Sequence, residues 1–493
     1  MSGAPSRRGG DEHTDKRANK RSGLRLLAAS AALALVGLVG AAAAVEHLGL
    51  APRALGPYIE KRSSGHNPVI SGLGRQVGGT LVALDRGTPA PAAELALTLG
   101  AQALPAGVDG PAGLAVATPD ALRAAIGRAQ PGDVITLLPG TYRFSGNPID
   151  ANRPGREDAP VTVRAARPGS VHVEFAQVEG FRVSAPWWRF ENLAIRGVCA
   201  SDSDCEHAFH VVGAGRHFAS VNNAIADFNA HVKINGANGD FPDDGLIESN
   251  TLTNTRVRQT ANPVVPIDLV AASRWRVHTT VIKDFVKRDG NGVSYGAFAK
   301  GAGSGNVFER NLVWCEDKLR GQPGQRIGLS LGGGGTEAAY CRDRKCITEQ
   351  QGGSLRANLV ASCSDAGIYL NGAADSRIEG NTVVDTGGVE VRFATSSARL
   401  DGNLVDGPIR SRDGGLVHEG DNRTAPLWQA YLGLHPVRAL FRAPLAGDFG
   451  WQGAAPRRAA GATGPGLCGG PVRAYGAFED FGACRRQDTI SRR

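Results

Sequence analysis

Seven short stretches of this 493-residue chain place polar or charged side chains at alternate positions. They are Phe209-His210-Val211-Val212, Val232-Lys233-Ile234-Asn235, Ile267-Asp268-Leu269-Val270, Ala297-Phe298-Ala299-Lys300, Leu329-Ser330-Leu331-Gly332, Ile368-Tyr369-Leu370-Asn371 and Val389-Glu390-Val391-Arg392. If each is a strand, alternate residues face opposite ways and the apolar members point inward. The outward members then stack in two columns. One runs His210, Lys233, Asp268, Phe298, Ser330, Tyr369, Glu390, and the other Val212, Asn235, Val270, Lys300, Gly332, Asn371, Arg392. Lys300 and Lys233 are amines able to act as a base, and His210 and Asp268 beside Lys233 can tune its pKa. Arg392, and Arg326 just ahead of Ile327-Gly328-Leu329, offer cations for a developing negative charge, with Glu390 available to pair with Arg392. Asn235, Asp268, Tyr369, Asn371 and Glu390 supply donors and acceptors suited to sugar hydroxyls. A flat polar groove of this kind fits an extended sugar chain. Taken singly, each of these residues is equally explained as solvated surface.

Columns require stacked coils, and the sequence repeats accordingly. A frame of apolar residues around Asn recurs at Asn192, Asn223, Asn250, Asn311, Asn358, Asn381 and Asn403, with Thr280 in the Asn place of one unit. Steps of 20 to 50 residues mark a solenoid or array. Only the step from Asn311 to Asn358 is long, and it holds an insertion from Gly333 to Gly353. Within units, short alternating runs such as Gly367-Ile368-Tyr369-Leu370 are separated by Gly, Asn, Asp and Ser, and no helical period appears. Strands this short must be buried by their neighbours. A recurring Asn suits a turn, because it satisfies local backbone groups and tolerates left-handed geometry; stacked, such residues form a ladder. A β-sandwich would show strands every 8 to 12 residues without the longer period. The expected class is therefore all-β, a right-handed parallel β-helix with an N-terminal capping helix and a membrane or signal segment.

Around this body, residues 1–25 read as a basic cytoplasmic leader. Residues 26–45 are twenty uncharged residues, long enough to span a bilayer as an anchor with the amino end inside, or to serve as a signal peptide cleaved near Ala41-Ala42-Ala43-Ala44. Either way the body is exported, to the periplasm or cell surface. The even number of cysteines (8) fits disulfides in that compartment, and Cys341 with Cys346 is placed to pin the insertion. No Cys-x-x-Cys pair accompanies a His cluster, so no zinc or other metal is expected. Residues 46–115 read as linker, 116–411 as the β-helix and 412–493 as a C-terminal cap. Thr118 and Pro119 start a helix carrying Leu122, Ala125 and Ile126, which can close the open end of the solenoid. Gly332-Gly333-Gly334-Gly335-Thr336 lacks the Lys-Ser/Thr of a phosphate loop and reads as a hinge to the insertion. The net charge of +8 is partly carried by the leader, so the body is mildly basic, compatible with an acidic polymer. No nucleic acid is expected as partner, and no cofactor.

Three pieces of the chain together resemble the chondroitinase-B/alginate-lyase type of polysaccharide lyase. They are Ala125-Ile126 through Pro131-Gly132-Asp133-Val134-Ile135 and Gly140-Thr141-Tyr142; Ala159-Pro160-Val161-Thr162-Val163 through Phe190-Glu191-Asn192-Leu193; and Gly296-Ala297-Phe298-Ala299-Lys300-Gly301 with Asn306 and Asn311. The resemblance covers roughly residues 115–410. It implies β-elimination, with a Lys taking the proton from C5 of a uronate, an Arg assisting and a cation stabilising the carboxylate; Lys300 matches the Lys position. The family also places acidic calcium ligands ahead of that Lys, where Val293-Ser294-Tyr295-Gly296 offers none. That departure leaves a calcium-free lyase, a different chemistry or no catalysis. Two further readings stand beside the lyase: a non-catalytic glycan-binding or envelope scaffold, and a glycoside hydrolase on the same fold. The last needs two carboxylates flanking one bond, and Asp268 and Glu390 lie four coils apart.

Overall fold

The computed structural model describes residues 36–88, 97–102, 113–459 and 464–485. Among them, twelve strands stack in one sheet and ten in each of two others, every neighbour in these three sheets pairing in parallel. Successive strands of the chain go to successive sheets, so each coil contributes one rung to each face. The result is a right-handed parallel β-helix. Its interior is a continuous apolar column in which Phe175, Phe181, Phe190, Phe209, Phe218 and Trp275 stack in turn, giving way to Leu329, Leu331, Ile368, Leu370 and Val391 in later coils. The helix Pro119–Gly127 closes the first coil, with Leu122 and Ile126 fully buried and the Thr118 hydroxyl accepting from the Ala121 N–H.

The Asn ladder lies at one corner. Each ladder side chain accepts from the main-chain N–H one coil earlier: Leu193 to Asn223, Asn223 to Asn250, Thr280 to Asn311, Asn311 to Asn358, Asn358 to Asn381 and Asn381 to Asn403, at 2.9–3.0 Å. The Nδ2 groups donate back to main-chain carbonyls such as those of Phe308, Leu355 and Ile378. Two details correct the sequence reading. Asn192 is one residue out of register: Glu191 pairs with Val221, so Leu193 holds the ladder place and Asn192 stacks on Asn222. The left-handed residue is also not the ladder Asn but the one before it, Asn222, Ser249, Thr279, Arg310, Ala357, Gly380 and Gly402 having φ of 50–70°. The ladder runs one coil further, to Asn422.

Residues 46–115 are not simply linker. Pro52–Ser63 and Pro68–Arg86 form a helical hairpin in which a Cβ added at Gly56 would lie 2.5 Å from the Gly78 carbonyl. The glycines that read as loop are close-packing contacts between helices. Buried charge fastens the hairpin to the β-helix: Arg53, paired across the hairpin with Asp85 at 2.5 Å, reaches Asp385 at 3.3 Å, Arg86 reaches Glu316 at 3.1 Å, and Arg320, 2.5 Å from Asp385, donates to the Arg86 carbonyl at 2.7 Å. Burial opposes ionisation of Asp385, but the guanidiniums of Arg86, Arg438, Arg320 and Arg53 hold its carboxyl well below the usual range. Of the expected membrane or signal segment, residues 26–35 lie outside the described residues and 36–48 are helical. Among the described residues no helix is long and apolar enough to cross a membrane. Beyond the last coil, Phe441, Phe449, Phe478 and Phe481 pack on Trp314, Leu359, Val384 and Leu404, so the C-terminal residues wrap the flank of the solenoid. Disulfides join Cys199–Cys205, Cys315–Cys363, Cys341–Cys346 and Cys468–Cys484.

Replacing one rung tests the ladder. Asn358→Ala strands the buried Asn311 N–H and the Phe308 carbonyl, a loss of roughly 2–6 kcal/mol at one to three per unsatisfied group. The denaturant midpoint should fall clearly, whereas exposed Arg399→Ala should leave it unchanged; equal midpoints would remove the ladder as a source of stability.

Candidate functional site

Strand pairing realises both outward columns. His210, Lys233, Asp268, Phe298, Ser330, Tyr369 and Glu390 are successive partners in one ten-stranded sheet, and Val270 with Lys300 and Gly332 with Asn371 and Arg392 are partners in the second column. Over the middle of this sheet lies a cleft of about 600 Å³ lined by Lys233, Asn235, Asp268, Phe298 and Lys300, with Tyr295, Lys287 and the Gly333–Thr336 segment on its walls. Four of the ten residues singled out from the sequence, Lys233, Asn235, Asp268 and Lys300, thus share one cavity.

The two column lysines differ in their surroundings. Lys233 Nζ is 2.9 Å from Asp268 Oδ2, and the pair is mostly buried. Lys300 Nζ sits 4.7 Å above the Phe298 ring, an attraction of the cation–π kind, and has no carboxylate within 4 Å among the described residues. On the next rung His210 stands between Glu179, 3.0 Å from Nδ1, and Asn235, 2.8 Å from Nε2. That chain orients Asn235 toward the cleft. His207, whose ring centre is 5.3 Å from that of His210, has its pKa pushed down to about 4, first by burial and then by the charges of His210 and Lys233.

The remaining sequence candidates lie elsewhere. Tyr369 receives hydrogen bonds from Asn371 and Arg392, each at 3.3 Å, and these three form a polar cluster further along the groove. Glu390 does not pair with Arg392 but with Arg410 at 2.5 Å and Arg412 at 3.0 Å; Arg392 turns instead to Asp413 at 2.6 Å. The reason is stacking: Arg410 is the partner of Glu390 on the following strand, so the shortest cation is one rung away. Arg326 is taken out of the group. It lies within the strand Gln325–Gly332, 1% exposed, its guanidinium held by Glu316 and the carbonyls of Gln322 and Pro323 in the belt that fastens the helical hairpin.

Several cleft residues escaped the sequence reading. Tyr295 has the inward parity of Ala297 and Ala299, yet it lines the cleft against Phe298, because the alternation breaks at Gly296, where a Cβ would lie 2.8 Å from the Gly328 carbonyl. Burial pushes the Tyr295 phenol up to about 12. Lys287, 4% exposed and bonded to Asn291 at 3.2 Å, has its pKa lowered by burial. It sits outside the strand columns, at an isolated parallel bridge to Arg258, and carries no periodic signal.

No protein-family profile matches the chain. Two curated relatives, pectate lyase L of Dickeya chrysanthemi and pectate lyase L of Dickeya dadantii, are each 26% identical over 227 and 226 residues, 39% of this chain. The chain spans about half the length of these relatives, 51% and 50%. Among solved structures, a rhamnogalacturonan lyase (12% identity, TM-score 0.37) covers 64% of this chain and 87% of its own. Pectate lyase Pel9A (16% identity, TM-score 0.35) covers 64% and 80%.

Two histidines predict a pH dependence. His207 and His231, the latter wholly buried against the Thr253 carbonyl, both have pKa values near 4, chiefly through burial, whereas the unfolded side chain titrates near 6.5. Between those values the unfolded chain takes up protons that the folded one refuses, so stability falls as pH drops from about 6.5 to about 4. Denaturant midpoints across this window should fall, and His231→Gln should flatten the slope. A midpoint constant from pH 7 to 4.5 would contradict it. Fold and sheet topology identify a right-handed parallel β-helix protein, similar over 39% of its length to the two pectate lyases.

Proposed function

We propose that this protein is an exported β-helix lyase that cleaves a uronate-containing polysaccharide by β-elimination in the cleft around Lys300. The observation that carries the reading is Lys300 itself, an amine without an ion-pair partner among the described residues, packed on Phe298 at the centre of a 600 Å³ cleft. In its neutral form it takes the proton from C5 of the uronate. The electron pair left behind forms the C4=C5 double bond, the C4–O glycosidic bond breaks, and the departing oxygen acquires a proton. Lys233, already engaged with Asp268, serves as a cation toward sugar carboxylates, while Asn235 and the aromatic faces of Phe298 and Tyr295 seat the sugar rings. Arg392 and Tyr369 extend the polar groove for further sugar units. The pectate lyase relatives support an acidic polysaccharide as substrate. Export is part of this reading: four disulfides persist in oxidising compartments, and residues 26–45 provide the anchor or cleaved signal.

A glycan-binding scaffold is the second reading, favoured by the absence of carboxylates in Val293-Ser294-Tyr295-Gly296. A hydrolase is disfavoured by spacing. Asp268 and Glu390 are four rungs apart, about 19 Å at 4.8 Å per rung, against the 5–9.5 Å that glycosidases use.

Elimination creates a conjugated double bond, so ultraviolet absorbance during incubation with polygalacturonate, alginate and glycosaminoglycans decides between the first two. Absorbance should rise on one polymer, and Lys300→Ala should reduce the rate by at least about 100-fold, the scale of a lost general base, with the fold intact. A flat trace on every polymer, with one nonetheless retained, would replace the lyase by the scaffold.

A further inference from the structure

A proton at C5 of a uronate is one bond from the carboxylate at C6, so whatever grips that carboxylate must lie within a few ångströms of the base. The wall beside Lys300 is the glycine run that opens the insertion. A Cβ added at Gly333 would lie 2.8 Å from Lys300 Cδ, and one at Gly334 would lie 2.6 Å from Asn371 Nδ2. Gly332, Gly334 and Gly335 have φ of 70°, 63° and 72°, and Gly333 between them is not left-handed. Three left-handed residues in four suit glycine alone, and without side chains the run presents its backbone to the cleft. The amides of Gly333, Gly334 and Gly335 have no acceptor among the described residues, although the segment lines the cleft, whereas the next amide, Thr336, is committed to Glu349.

The run is held in place from both ends. Behind it, Gly332 is the strand partner of Asn371. Ahead of it, the Thr336 hydroxyl bonds Glu349 at 2.7 Å, and the same carboxylate accepts from the Gly301 N–H at 3.3 Å, next to Lys300. The rest of the insertion reaches across to the opposite bank. The Arg342 guanidinium makes a two-pronged contact with Asp243, at 2.7 and 2.8 Å, and lies 4.4 Å over the Phe241 ring. Cys341–Cys346 closes the turn that carries Arg342.

We propose that the Gly333–Gly335 amides, with the Asn371 side-chain amide behind them, form a carboxylate-binding subsite that holds the uronate C6 group beside Lys300 without a metal ion, and that the Arg342–Asp243 clasp keeps this subsite in shape. The inference rests on the cleft being the sugar site and Lys300 the base. Preorganised N–H donors aimed where negative charge accumulates stabilise the enolate-like charge that spreads onto the carboxylate as the proton leaves. They would supply what acidic residues and a cation supply elsewhere. The selectivity follows: the subsite takes a free carboxylate and rejects a neutral hydroxymethyl group.

The test is binding, read separately from turnover. Retention of polygalacturonate and of alginate by the full chain is measured in chelator and in added calcium, alongside the same polymers with their carboxyls reduced to alcohols. The expected result is equal retention with and without chelator, and at least tenfold weaker binding of the reduced polymers. Arg342→Met, which opens the clasp, and Gly334→Val, which cannot hold the left-handed turn beside Asn371, should each weaken binding of the acidic polymer about tenfold and leave the reduced one unchanged. Dependence on calcium, equal binding of reduced polymer, no loss in either variant or retention of neither acidic polymer would overturn the subsite. Absorbance on the same samples keeps the two claims apart. Binding that behaves as expected with no double bond formed sinks the lyase and keeps the subsite; turnover with binding indifferent to both variants does the reverse.

Discussion

Everything in this protein depends on the buried corner where amides stack on amides. A coil that turns inside a solenoid leaves main-chain donors and acceptors away from water, and each orphan costs about 1–3 kcal/mol. The ladder from Asn223 to Asn422 satisfies them between coils, not within one. Because every bond reaches to the neighbouring rung, a slip of one residue would break several of them at once. Register is thereby fixed along the whole length, and with it the alignment of outward side chains. The polar columns are a by-product of how the interior is kept saturated.

The outer layers follow a different logic. The helical hairpin is fastened by fully buried charge, with Asp385 ringed by Arg53, Arg86, Arg320 and Arg438, and the C-terminal wrap is fastened by aromatic packing on the third sheet. The wrap covers the apolar outward residues Trp314, Leu359, Val384 and Leu404, whereas the hairpin sits on the turns that carry Glu316, Ser362 and Asp385. Neither touches the cleft, which leaves the ten-stranded sheet with its Lys and Asn residues as the open face.

The sequence made the solenoid legible because its period is written in residue identity: Asn before an apolar pair, coil after coil. Column membership was legible too, since alternation within Val232-Lys233-Ile234-Asn235 or Ala297-Phe298-Ala299-Lys300 is simple. What stayed hidden depends on three-dimensional closure. Glu390 was assigned to Arg392 because they are neighbours in sequence, but the cation one rung on, Arg410, is closer. Arg326 looked available because a flanking position says nothing about burial, and Glu316, ten residues earlier, draws it inside. Tyr295 was lost where Gly296 breaks the alternation. The hairpin was lost because glycines that let two helices touch look the same in sequence as glycines in a loop.

The insertion between Gly333 and Gly353 leaves and rejoins the solenoid at one corner, while Ser330 still pairs with Tyr369 across it. The ladder beneath, from Asn311 to Asn358, closes over the longest step at the same 3.0 Å as over the shortest ones. The piece of chain nearest Lys300 therefore leaves the ladder corner undisturbed and is tied to the coils elsewhere, through Glu349 to Gly301, Arg342 to Asp243 and the short strand Gln350–Gln351 beside Gly303–Ser304. What it presents to the cleft can differ between such molecules while the ladder that sets the register stays constant.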